Sequence, residues 1–199
     1  MDDTAPRLQP GDALVIVDVQ NDFLPGGQLP VPEGDAVIPP LNAWIRAFRA
    51  ADLPIVATRD WHPADHCSFQ ARGGPWPPHC VAGTPGAEFA PGLRLPEDVI
   101  VISKATSPDR DAYSGFEGTD LAERLRELGV KRLFVGGLAT DYCVLNTVLD
   151  ALKEGFETLV ITDAIRAVNV NPDDGDKALE RMRNAGARFV TTPAEWLRE

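Results

Sequence analysis

The chain has 199 residues, 44% of them hydrophobic and 25% charged, ordinary globular proportions that allow one sizeable core and a single domain over residues 1–199. Its formal charge of -11 at pH 7 works against nucleic acid or an anionic membrane as partner and leaves small molecules. Apolar runs such as Ala13-Leu14-Val15-Ile16-Val17 fall far short of the ~20 residues of a membrane span, the start Met1-Asp2-Asp3-Thr4 lacks a basic, apolar leader, and the odd cysteine count (Cys67, Cys80, Cys143) argues for reduced thiols, so a cytoplasmic placement is expected.

Residues 13 to 17 are apolar and β-branched without alternation, which predicts a central parallel strand covered on both faces, ended by Asp18. Residues 19 to 27 read as a loop. Asp35 is the N-cap candidate for a helix reaching about residue 51, with Leu41, Trp44, Ile45 and Phe48 on one face, and Pro39 and Pro40 draw its start toward Ile38. A second strand over 54 to 58 delivers Arg59 and Asp60 to its carboxyl end. Residues 61 to 96 show no sustained period. A loop that long is functional or disordered, and Trp61, Phe69, Trp76 and Phe89 argue for order.

A third strand over 99 to 102 ends at Ser103-Lys104, and a helix from 119 or 120 to 128 is stopped by Gly129. A fourth strand, 131 to 136, leads through Gly136-Gly137 and Cys143 into a helix to about 154, with Val144, Val148, Leu149 and Leu152 at helical spacing. A strand over 158 to 162, a helix over 172 to 185 and a strand over 188 to 191 follow. This alternation predicts an α/β fold: a three-layer α/β/α sandwich around a doubly wound, mostly parallel six-stranded sheet.

Ligands of such sheets bind at the carboxyl ends of the strands, where Asp18, Lys104 and Cys143 fall. Cys143 lies in the first turn of the expected helix, where the dipole and free N–H groups lower a thiol from its usual ~8.5. Singly, each has a plainer reading: an Asp that makes a turn, a Lys on the rim, a Cys that packs. Together a carboxylate that takes the thiol proton and an ammonium that steadies the thiolate form an activated nucleophile for acyl transfer. The three histidines, His62, His66 and His79, fall in the long loop. With Asp60 they suit one divalent transition metal, Zn, Fe or Mn. Two alternatives are a structural zinc site using Cys67 and Cys80, each of which follows a histidine, and loop packing without metal.

In order along the chain, Asp18-Val19-Gln20-Asn21-Asp22-Phe23, Asp60-Trp61-His62-Pro63, the run from Trp76-Pro77-Pro78-His79-Cys80 to Ala87, Lys104, Tyr113-Ser114-Gly115-Phe116 and Gly137-Leu138-Ala139-Thr140-Asp141-Tyr142-Cys143-Val144 resemble the nicotinamidase branch of the isochorismatase-like cysteine hydrolases. The resemblance covers nearly the whole chain. It implies hydrolysis of nicotinamide, and of pyrazinamide, through a thioester, with Asp18, Lys104 and Cys143 as triad and zinc as the first choice of metal. It further implies Asp60, His62 and His79 as metal ligands with His66 as a further one, a ring pocket walled by Phe23, Trp76 and Tyr113, a cis Leu138–Ala139 peptide, and an oxyanion hole from the Ala139 and Cys143 N–H groups. Residues 105 to 112 depart from the family pattern. A relative acting on a maleamate-like or ureido amide, and a non-catalytic metal- or ligand-binding module, are the competing readings; a homo-oligomer stays open.

Overall fold

The computed structural model describes residues 4–199; Met1-Asp2-Asp3, on which the reading of no leader rested, lie outside the described residues. The uninterrupted apolar run forms β1 (Asp12–Val17), buried at every position. Leu14 and Ile16 enter one hydrophobic cluster, and Ala13, Val15 and Val17 enter another on the opposite face. With both faces covered, residues 13 to 17 are apolar without alternation.

β2 (Ile55–Asp60), β3 (Ile100–Lys104), β4 (Arg132–Leu138), β5 (Glu157–Arg166) and β6 (Arg188–Val190) follow. Among the described residues they form one sheet in the order β3-β2-β1-β4-β5-β6, and every pairing is parallel. Helix α1 (Ile38–Ala50) packs Leu41, Trp44, Ile45 and Phe48 on one face of the sheet. On the other face, α2 (Leu121–Glu127), α3 (Leu145–Lys153) and α4 (Asp174–Asn184) contribute Leu125, Val148 and Met182. The result is the expected three-layer α/β/α sandwich.

Two boundaries differ from expectation for identifiable reasons. Asp35 caps nothing, because it lies inside a 3-10 turn, Gly34–Val37, and α1 begins at Ile38 with Pro at its first positions, where a missing N–H is harmless. β5 runs on to Arg166 past a register shift: Val135 pairs Val160, but Gly137 pairs Ile165. Gly137 adopts φ 124°, and a Cβ there would lie 2.1 Å from the Val17 carbonyl oxygen, so only glycine lets β4 pass so close to β1. Residues 61 to 96 are ordered by bridges His62↔Val81 and Phe69↔Trp76 and by Ala87, Ala90 and Leu93, which join the α1-side core.

At the opposite end of the sheet from the strand termini that matter below, Asp12 and Arg132 are register partners. Arg132 Nε and Nη2 donate to the two Asp12 oxygens at 2.6 and 2.7 Å, and Nη2 also donates to the Arg7 carbonyl at 3.0 Å. Both side chains are buried. Removing one partner strands the other charge out of water. Arg132→Met is therefore expected to lower unfolding free energy by about 3 kcal/mol, read from urea denaturation, while turnover per folded molecule stays at the parent level.

Candidate active site

The sheet order explains how distant residues meet. β3, β2, β1 and β4 lie side by side, so their carboxyl ends present Lys104, Asp60, Asp18 and the turn carrying Cys143 in one row. Asp60 and Lys104 are register partners on β2 and β3. Asp18, at φ 51°, leaves the β1 ladder in the left-handed region. Lys104 is fully buried; its Nζ lies 2.7 Å from Asp18 Oδ2 and 3.5 Å from Cys143 Sγ, and it donates to Asp60 Oδ1. Thr58 Oγ1 donates to Asp18 Oδ1 at 2.7 Å. The predicted trio is thus assembled, together with Thr58 and Asp60. Sequence reasoning missed Thr58; the signal that could have found it is its register position opposite Val17, the last residue of β1.

Burial alone would lower the Lys104 ammonium, but the Asp18 and Asp60 carboxylates override it and hold the group well above its ordinary value, so it is charged. Burial pushes the Asp18 carboxyl up, and Lys104 pulls it back only in part. Burial also pushes the Cys143 thiol well above its usual range, reinforced by Asp18 and Asp60 and opposed by Lys104. This reverses the expectation of a thiol acidified by a helix end. Two causes account for the reversal: the site is dry, and Cys143 does not sit in the first turn of an α-helix. It lies in a π-helical turn, Thr140–Val144, that precedes α3, with the Val144 N–H bonded to the Ala139 carbonyl at 3.0 Å. The Leu138–Ala139 peptide before this turn is cis. A protonated thiol beside a carboxyl of raised affinity for protons is a matched donor and acceptor.

Asp60, His62 and His79 bring one ligand atom each to within 4.8 Å of one another. His62 Nδ1 donates to the His79 carbonyl and His79 Nδ1 to the Pro77 carbonyl, both at 2.8 Å, so each ring is fixed with its Nε2 lone pair free to coordinate. His62 is buried, which pushes it down to about 3 and keeps it neutral. One carboxylate and two oriented neutral imidazoles fit a divalent transition metal. His66 stacks beside His62 with ring centroids 4.3 Å apart. Its Nε2 faces the Arg110 carbonyl at 2.9 Å and its Nδ1 faces Ser68 Oγ at 2.7 Å, so ligation by His66 requires release of the Arg110 bond. Among the described residues, neither Cys67 nor Cys80 belongs to a group that could hold an ion, and Cys80 instead packs in the core.

A pocket opens over Cys143, walled by Phe23, Trp76, Tyr113, Tyr142 and Val168 and floored by Asp60, His79 and Ala139. The three predicted wall residues are all present, and Trp76 Nε1 donates to the Tyr113 hydroxyl at 3.3 Å. Tyr142 and Val168 were not anticipated; Tyr142 packs edge-on to Trp76 at 5.5 Å. The unplaced segment 105 to 112 docks on the histidine loop: Arg72 donates to the Pro108 carbonyl and to Asp109, and Cys67 N–H donates to Pro108 at 2.8 Å.

Residues 12–194 match the isochorismatase domain. The nicotinamidase of Escherichia coli (strain K12) is 40% identical to this chain, covering 94% of it and 97% of that protein. A crystal structure of the pyrazinamidase of Pyrococcus horikoshii in complex with zinc superimposes with a TM-score of 0.88 at 57% identity, covering 92% of this chain and 99% of that one. The structure of PnC1 from L. infantum in complex with nicotinate gives a TM-score of 0.87 at 38% identity over 94% and 96% of the two chains.

Without Lys104, the Asp18 and Asp60 carboxylates would face each other in a dry site. Lys104→Met is expected to destabilise the fold by about 3 kcal/mol or more, measured by urea unfolding in the presence of a chelator; an unchanged midpoint would contradict the buried ion-pair assignment.

Proposed function

Because the chain belongs to the isochorismatase family, we propose that its site works as a cysteine amidohydrolase that converts nicotinamide to nicotinate and ammonia, and pyrazinamide to its acid. The observation that carries this reading is the buried Lys104 ammonium held between Asp18 and Asp60 and 3.5 Å from the Cys143 sulfur, under an aromatic pocket. We assign it as a single hydrolase domain over residues 1–199 acting in the cytoplasm, where its thiols stay reduced.

In this reading Asp18 takes the proton of the Cys143 thiol as Sγ attacks the amide carbonyl, so charge moves from sulfur to oxygen rather than resting on sulfur. Lys104 stays charged throughout and offsets the negative charge on Asp18 and Sγ. Ala139 and Cys143 line the pocket, and in this reading their backbone N–H groups hold the oxyanion, worth about 3 kcal/mol per donor. Asp18 returns its proton to the departing nitrogen, ammonia leaves, and a thioester on Cys143 remains. Asp18 then takes a proton from water as that water attacks the thioester carbonyl, returns it to the Cys143 sulfur as the C–S bond breaks, and the acid product leaves and gives its proton to solvent.

Asp60, His62 and His79 would hold a divalent metal, zinc as first choice with iron or manganese as alternatives, and His66 would be a further ligand on leaving Arg110. Bound there, the metal supplies Lewis acidity and an anchor for a ring nitrogen. Phe23, Trp76 and Tyr113 clamp a flat heterocycle between apolar faces. A linear maleamate-like or ureido amide would leave those faces without a partner, which favours the aromatic amide.

Ammonia release across nicotinamide, pyrazinamide, maleamate and ureidoacrylate is expected to favour the two aromatic amides; preference for either linear amide would assign the site to the competing amidase class. Cys143→Ala is expected to lower turnover at least about 1,000-fold with an unchanged circular dichroism spectrum; activity within tenfold of the parent would remove Cys143 as nucleophile, and no activity from the parent on any amide would favour a binding module. Elemental analysis of protein purified without chelator should find one transition metal per chain, and substitution of His79 by Ala should remove it.

A further inference from the structure

The turn after β1 contains two buried polar side chains that the reaction does not use. Gln20 is fully buried, and its carboxamide is spent on main chain: Nε2 donates to the Asp60 carbonyl at 2.8 Å and to the Ala87 carbonyl at 2.9 Å, while Oε1 accepts the Asp60 N–H at 2.9 Å. It grips both backbone polar groups of Asp60 from across the chain. Two residues on, Asp22 is also buried and accepts the Cys80 N–H at 2.8 Å, directly after His79. Cys80 is held at φ 48°, a left-handed conformation that a non-glycine residue adopts only under restraint. Gly86 leaves room for this contact, since a Cβ there would lie 2.2 Å from Asp22 Oδ2. The two gripped segments are tied to each other as well, because His62 N–H donates to the Cys80 carbonyl at 2.9 Å.

We propose that Gln20 and Asp22 are positioning residues of the metal centre: one turn holds the Asp60 backbone and the His79–Cys80 backbone at the spacing that lets the three ligand atoms converge. This rests on the metal reading above. Both side chains are buried and spend polar atoms on main-chain groups that would otherwise be left unpaired. Among their hydrogen bonds are those to both peptide groups of Asp60 and to the peptide following His79, and the Gln20 carboxamide, with a donor and an acceptor side by side, satisfies the N–H and C=O of one residue at once. Groups that orient metal ligands in this way typically change metal affinity 10- to 100-fold when lost.

The test measures Zn(II) affinity of purified, demetallated protein by competition with a chromophoric chelator, for the parent, Gln20→Met, Asp22→Asn and Arg132→Met. Gln20→Met keeps the side-chain length and removes all three hydrogen bonds. Asp22→Asn keeps an acceptor oxygen and loses the charge that strengthens it, so it is the milder variant should the first fold poorly. The expected result is Zn(II) binding weakened 10- to 100-fold by Gln20→Met and several-fold by Asp22→Asn, with Arg132→Met, destabilised at the far end of the sheet, within twofold of the parent. Parent-like affinity in a folded Gln20→Met or Asp22→Asn variant, or equal weakening in Arg132→Met, overturns the positioning role alone. A parent that binds no Zn(II) overturns the metal centre and the positioning role together.

Discussion

One buried ammonium organises this molecule's chemistry. Lys104 reaches from β3 across the end of β2 to Asp18, and its charge is what allows Asp18 and Asp60 to share a site closed to water. Each ion out of water carries a desolvation penalty of several kcal/mol, which an opposing charge offsets only at close range and with its other hydrogen bonds satisfied. Thr58 supplies such a bond to the Asp18 carboxylate. The cluster is therefore a weak source of stability, and the proposed reaction gives it a use in moving a proton. A low-dielectric site raises the proton affinity of both Asp18 and the Cys143 thiol, and groups matched in that way exchange a proton when a substrate carbonyl arrives.

Asp60 belongs to two assemblies. Its Oδ1 bonds Lys104, and its Oδ2 lies 3.9 Å from His62 Nε2. The candidate nucleophile cluster and the candidate metal-ligand cluster thus share one carboxylate, so any change in charge on one side alters the field on the other. The parallel sheet makes this sharing possible. In a parallel pair the carboxyl ends of neighbouring strands lie on the same edge, and the Asp60–Lys104 register brings a side chain from each to the same level. The glycine at 137 then brings β4 against β1, which carries the chain into the Cys143 turn beside Asp18.

Much of this was legible in the linear chain. The unalternating run at 13 to 17 could only be a strand buried on both faces, the period of Leu41, Trp44, Ile45 and Phe48 could only be a one-sided helix, and the alternation of such segments specified a parallel three-layer sheet. The reactive residues were legible for the same reason, since each stands at the end of a strand, where a parallel sheet opens its crevice. Even the long stretch without period announced itself through its histidines and aromatic residues.

What the chain in isolation did not contain was environment. Helical spacing after Cys143 suggested a helix end that acidifies the thiol, but that effect is local and weak against burial among two carboxylates, which depends on side chains such as Lys104 and Cys143, Thr58 and Asp18, or Lys104 and Asp60, 39 to 44 positions apart in sequence, meeting at one edge. The same holds for Thr58 beneath Asp18, for Tyr142 and Val168 in the pocket wall, for the bond that turns His66 toward Arg110, and for the docking of residues 105 to 112 on Arg72. The sequence by itself determined which side chains could do the chemistry and which layer each element occupies, because periodicity and residue type are local properties. Only the tertiary structure decided their protonation and their partners, because Coulomb energies and desolvation depend on distances between groups that share no local sequence.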